Sequence, residues 1–170
     1  MILRVESCAA CLVCPEARSQ MGGYHYLSDK KGELFNGPIL VLAKVIKNAM
    51  ASAAEAEVGA PHMSAQEAAG VKNTLEEMGH PQPATSIETD NSATQRVING
   101  TIEQKRSKAI DMRFYWVKDR VKQGQFHIFW MPGDTNLADY WTKHHPPAHH
   151  RAMRPIIHNN GHYYFQEGTK

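Results

Sequence analysis

Cysteine is scarce in this chain, three in 170 residues, so no disulfide framework can hold it together. Aromatic residues are only 8% of the total, and the 12 glycines and 9 prolines follow no period, which excludes a collagen-like rod. No long apolar run exists. The longest extends from Ile39 to Ile46 and is broken by Lys44 and followed by Lys47, too short and too charged to cross a bilayer. The first residues reach Arg4 and Glu6 without the hydrophobic stretch of a secretory leader, so the expectation is an intracellular chain with no membrane partner. No charge of either sign dominates: the formal balance is +2. What remains, 42% hydrophobic and 21% charged residues, is the make-up of one globular domain able to bury roughly 70% of its unfolded surface.

The balance conceals an asymmetry. Residues 1 to 95 hold 7 Lys/Arg against 11 Asp/Glu, and residues 96 to 170 hold 12 against 6. Within the basic half Lys105, Arg106, Lys108, Arg113, Lys118, Arg120 and Lys122 crowd into one segment. Such a cluster suits either a docked polyanion or a solvated helix face.

Alternation of Ile2, Leu3 and Val5 with Arg4 and Glu6 predicts a first strand ended by Pro15. Tyr24 to Leu27 after Gly22 and Gly23, and Ile39 to Leu42 after Gly37 and Pro38, predict two more. Ser52-Ala53-Ala54-Glu55 reads as a capping box opening an alanine-rich helix that Gly79 stops. Pro61 inside it predicts a kink or a split near His62. Ser86 to Thr89 predicts a fourth strand, followed by a short helix ending at Gly100. Ser107 is positioned to cap a helix whose apolar stripe is Ile110, Phe114, Val117 and Val121. Gln125 to Trp130 predicts a fifth strand, and Asn136 to Lys143 a last helix. The order implies an α/β fold with a five-stranded mixed sheet, an antiparallel meander of strands 1 to 3 followed by crossover strands 4 and 5. The expected division is a domain over residues 1–143 and a His/Pro-rich tail over 144–170, read as an exposed connector although its histidines suit transition metals.

Ligands of open α/β sheets collect at the carboxyl ends of strands. Glu57 in the capped helix, Asp90 after strand four and Asp139 after strand five fall near such places. Oxygen ligands from separate elements suit Mg²⁺, and two ions about 4 Å apart activate water at a phosphodiester. Taken singly, Asp90 and Asp139 also read as acids placed at helix starts.

Several segments together carry a resemblance. Ala54-Glu55-Ala56-Glu57, Thr89-Asp90-Asn91-Ser92-Ala93, Arg106 to Arg113 and Asn136 to Lys143, with Arg18-Ser19 and Gly22-Gly23-Tyr24, resemble in order and spacing the ribonuclease H domain of copia-type LTR retrotransposon polyproteins over roughly residues 4 to 155. The resemblance implies a ribonuclease H fold, two Mg²⁺ ions and hydrolysis of the RNA strand of an RNA/DNA hybrid during reverse transcription. It also implies a reverse transcriptase region as partner, and a cytoplasmic or virus-like-particle location. On this likeness Glu57, Asp90 and Asp139 are the metal-binding carboxylates, with Glu55 left to the cap. Lys105, Arg106, Ser107, Lys108 and Arg113, with Asn91 and Ser92, are the nucleic-acid contacts.

One member of the family pattern is replaced. Where the family has Ser-Asp-Ala on strand one, this chain has Ser7-Cys8-Ala9. A thiol is a soft ligand that serves Mg²⁺ poorly, so hydrolysis is expected to be impaired. The family's histidine ahead of the last carboxylate also has no counterpart between Met131 and Ala138. Two other readings stand beside the nuclease: the same fold as a nucleic-acid-binding or polymerase-packing module without turnover, and a metal protein ligated by Cys8, Cys11 and Cys14. Met1 directly before strand one leaves no connector to an upstream polymerase, as in a fragment or a decayed reading frame. Trp116, Trp130 and Trp141 are expected in the core more than on nucleobases.

Overall fold

A computed structural model describes residues 1–32, 34–46, 53–100 and 108–158; inside its helices the side chains of 53–55, 57 and 108–111 fall outside that description. Five strands, β1 (Ile2–Cys14), β2 (Arg18–Ser28), β3 (Pro38–Val45), β4 (Thr85–Thr89) and β5 (Phe126–Trp130), form one sheet in the order β3-β2-β1-β4-β5. The β1–β2 and β2–β3 pairs are antiparallel, and the β1–β4 and β4–β5 pairs are parallel. The expected meander and crossovers are therefore both present.

Strand alternation divides the chain between two layers. Odd residues of β1 (Leu3, Val5) join Ile87, Phe126 and Ile128 in a core cluster beneath α1 (Ala53–Glu77) and α3 (Lys108–Lys122). Even residues of β1 face the other way, where Cys8 packs with Tyr24, Tyr26 and Phe35. Small side chains let α1 lie close to the sheet: Ala56 and Ala60 pack on Met21 and Leu42. α2 (Ser92–Ile98) follows β4 and sets Ile98 into the same core as Phe114 and Val117 of α3. Gly79, at φ 85°, lets the α1 carbonyls of Glu76 and Leu75 be met by the N–H groups of Gly79 and His80. The Ser52 cap lies outside the described residues.

Three expectations change. Pro61 does not divide α1, which runs as one 25-residue helix. The missing hydrogen bond costs about 3 kcal/mol, but Pro61 is buried and the flanking alanines bury a continuous helical face against two clusters. The segment expected as a last helix over 136–143 instead holds a single 3-10 turn, Leu137–Trp141, preceded by another at Gly133–Thr135. The tail is not an irregular connector throughout: α4 (Pro147–Ile157) packs Ile157 into the Cys8–Tyr24 cluster, and the Tyr24 hydroxyl donates to the Ile157 carbonyl at 3.2 Å.

A candidate site on the middle strand

The middle of β1 lies beside the carboxyl end of β4, because Ser7 pairs with Thr89. Cys8 is the next residue within β1, and Asp90 follows directly on β4. Asp139 arrives from the 3-10 turn Leu137–Trp141, which lies across β2 opposite Gly22, the partner of Cys8 in the antiparallel register. A Cβ on Gly22 would come within 2.2 Å of the Ala138 carbonyl oxygen, so only glycine permits that approach.

Four further contacts fix the turn. Glu6 accepts the Leu137 N–H at 2.5 Å, Asn136 Nδ2 donates to the Ser7 carbonyl at 3.2 Å, and Asn136 Oδ1 caps the turn at the Ala138 N–H. Gln20 Nε2 donates to the Trp141 carbonyl at 2.6 Å. The outcome is a small polar pocket centred on sulfur: Cys8 Sγ lies 3.6 Å from Asp139 Oδ1 and 3.8 Å from Asp90 Oδ2.

Electrostatics in the pocket favour neutral or paired groups. Burial, reinforced by the two carboxylates, pushes the Cys8 thiol far above its usual range, so it stays protonated. Asp90 is open to solvent on one side, yet burial of its other side and the Asp139 charge raise its carboxyl. Asp139 is met by the Lys143 ammonium at 2.7 Å and 2.9 Å, one distance to each oxygen, and by the Thr142 hydroxyl at 3.3 Å. Gly133 leaves room beside Asp90 Oδ2.

Of the expected carboxylates, Asp90 and Asp139 converge beside Cys8, while the Glu57 side chain lies outside the described residues. These donors do not fit a pair of hard divalent ions. The central donor is a soft thiol, an ammonium already neutralises one carboxylate, and no group of three or more metal-ligating side chains suited to an ion occurs among the described residues. The cysteine motif does not gather either: Cys8 faces the carboxylates, whereas Cys14 Sγ donates to Gln20 Oε1 beyond a register shift between Ala10 and Cys14.

Among the expected nucleic-acid contacts, Asn91 Oδ1 caps α2 through the Thr94 N–H at 2.7 Å, and Ser92 Oγ accepts from Arg96 at 3.4 Å. Arg113 lines a cleft of about 600 Å³ with Arg18, Lys44 and His62. Lys105, Arg106 and Ser107 lie outside the described residues, as does the side chain of Lys108, the first residue of α3. Sequence reasoning missed Lys143, Gln20 and Glu6 as parts of the site. Lys143 follows Asp139 by four residues, a spacing that signals a helical ion pair; nothing in the sequence marks the other two. Trp130, expected in the core, is 47% exposed.

No protein-family model and no curated protein sequence matches the chain. Solved structures do. LC11-RNase H1, isolated from compost and bound to an RNA/DNA hybrid, superposes with a TM-score of 0.62 at 12% identity, over 82% of this chain and 93% of that one. The N-terminal RNase H domain of a Mycobacterium tuberculosis protein gives 0.59 at 12% identity, over 84% and 96%. The foamy viral protease-reverse transcriptase in complex with an RNA/DNA hybrid gives 0.58 at 16% identity, over 82% of this chain and 19% of the viral one. The sheet order, the crossovers and these superpositions together give this chain the ribonuclease H fold.

Proposed function

We propose that this chain is a ribonuclease H-like domain of a copia-type retrotransposon polyprotein that binds RNA/DNA hybrids, and that its hydrolysis of the RNA strand is severely impaired. The reading rests on one observation: Cys8 Sγ sits 3.6 Å from Asp139 and 3.8 Å from Asp90 on the central strand of the sheet, where the resemblance calls for a carboxylate. A thiol is a soft donor that serves Mg²⁺ poorly, so among the described residues the pocket offers two carboxylates beside sulfur where the family's metal chemistry draws on a further carboxylate.

The chain's own residues then act as a scaffold for binding. Asn91 fixes the start of α2, the Gly22 gap lets the turn bearing Asp139 reach the sheet, and basic residues of the second half attract phosphates. A reading without any turnover has its own support, because Lys143 supplies to Asp139 the positive charge a metal ion would bring.

The test is a nuclease assay with Mg²⁺ on a labelled hybrid, comparing the unaltered chain with Cys8→Asp, with hybrid binding measured in parallel. Binding by both proteins and cleavage gained only by Cys8→Asp supports impairment. Equal, robust cleavage by both refutes it. Hybrid binding with no cleavage by either supports the binding module, and no binding by either overturns the function as a whole.

A further inference from the structure

From Tyr140 to His158 the chain carries no Asp or Glu, against Lys143, Arg151, Arg154 and five histidines. Much of this stretch is firmly held. α4 is anchored by its inner face: Ile157 is buried with Cys8 and Tyr24, Met153 and Ile156 pack against the same cluster, and the Tyr24 hydroxyl donates to the Ile157 carbonyl at 3.2 Å. Near its start, His150 Nδ1 lies 2.6 Å from the hydroxyl of Tyr140, the residue after Asp139. The His145 and His149 rings stack on that of Tyr140 at 5.3 Å and 6.0 Å. The helix is therefore fastened at both ends beside the turn that carries Asp139.

Helical period turns the charge the other way. Arg151, Arg154 and His158 follow at spacings of three and four, so they share one face, and all three are exposed. Among the described residues neither arginine pairs with a carboxylate, whereas Lys143 is already committed to Asp139. Two guanidiniums on a helix anchored by its opposite side present a cationic surface for an anion that is itself spread along a line. A nucleic-acid duplex carries such an anion on its outside, where phosphates are reached without disturbing a base pair.

We propose that the outer face of α4, through Arg151 and Arg154, binds the phosphate backbone of the RNA/DNA hybrid beside this pocket. This rests on the hybrid-binding function above and extends its contact surface beyond the basic segment around α3, to an element that the sequence presents as a connector. Phosphate contacts release counterions and carry no base information. The contribution of α4 therefore fades as salt rises and is uniform across hybrid sequences.

The experiment is titration of the full chain with a labelled RNA/DNA hybrid over a series of salt concentrations. Four proteins are compared: the unaltered chain, Arg151→Gln/Arg154→Gln, Arg151→Lys/Arg154→Lys and Lys30→Gln/Lys31→Gln, the last removing two charges from exposed positions in the turn after β2. Supporting results are a slope of log K against log salt reduced by about two in Arg151→Gln/Arg154→Gln, with affinity about tenfold or more weaker at about 0.1 M salt. Arg151→Lys/Arg154→Lys, which keeps the charge, stays within about threefold of the unaltered chain, and Lys30→Gln/Lys31→Gln keeps its slope. If the Lys variant weakens as much as the Gln variant, charge is not what this face contributes, and the proposal is overturned. Equal loss in Lys30→Gln/Lys31→Gln overturns it too, because net charge alone then sets the affinity. An unchanged slope in Arg151→Gln/Arg154→Gln overturns it while leaving hybrid binding intact. Absence of binding by the unaltered chain overturns both the proposal and the function on which it rests.

Discussion

Glu6 gives the sharpest test of how this sheet is held together. It is 2% exposed, faces Glu88 across the parallel β1–β4 register, and accepts hydrogen bonds from the N–H groups of Leu137 and Ala138 and from Tyr26. Burial, with Glu88 adding to it, pushes its carboxyl from 4.5 up to about 8, more than those hydrogen bonds can offset. Below pH 4.5 the acid is protonated in the folded and unfolded chains alike, and its full contribution to stability is present. Between pH 4.5 and about 8 the unfolded chain gives up the proton while the folded one keeps it, so stability falls as pH rises. At about 1.4 kcal/mol per pH unit that interval sets a ceiling of roughly 5 kcal/mol. His25 and His62 act in the opposite sense, since burial lowers both, His62 to about 4, and their contribution is lost as pH falls. Glu6→Gln leaves those histidines in place and removes only the acid. Urea unfolding of both proteins from pH 4.5 to 9 should show the variant gaining on the unaltered chain by several kcal/mol as pH rises. Parallel stability curves across that range would refute the assignment of a buried, protonated Glu6.

Other consequences follow from single contacts. Gly22→Ala forces a methyl against the Ala138 carbonyl and should cost about 3 kcal/mol or more in urea unfolding, while opening Cys8, now 4% exposed, to faster reaction with a thiol reagent. Ile87→Ala empties a fully buried position between the helices and the sheet and should cost 2–5 kcal/mol, read as a lowered urea midpoint at unchanged m. Asn91→Ala removes the α2 cap and should cost about 1 kcal/mol in the same assay. Hybrid affinity should fall steeply with salt, and each neutralised contact among Lys105, Arg106, Lys108 and Arg113 should reduce the slope of log K against log salt by about one; an unchanged slope would remove that residue from the phosphate contacts.

Local chemistry made much of this molecule readable in one dimension. The strand at β1, the α3 stripe through Phe114, Val117 and Val121 and the stop at Gly79 are each enforced within a few residues, by side-chain period and by the residue type that best tolerates a left-handed backbone. Each stands in the fold, although β1 is buried on both faces at Val5 and Glu6 and not half-buried as expected. The sequence also brought forward Glu57, Asp90 and Asp139, because strand ends are where a sheet gathers its ligands, and the resemblance singled out Cys8, where the family has an aspartate. Tertiary structure decided the remainder. Burial against the sheet keeps α1 whole across Pro61, a cost that local propensity counts and packing outweighs. Contacts at separations of about 130 residues, Glu6 to Leu137 and Asn136 to Ser7, shape the 3-10 turn that presents Asp139, and no short-range signal encodes them. The same distance separates Cys8 from Asp139: the sequence singled out these two and Asp90 but not Glu6, Gln20 or Lys143, and only the folded sheet brought a thiol to within 4 Å of two carboxylates.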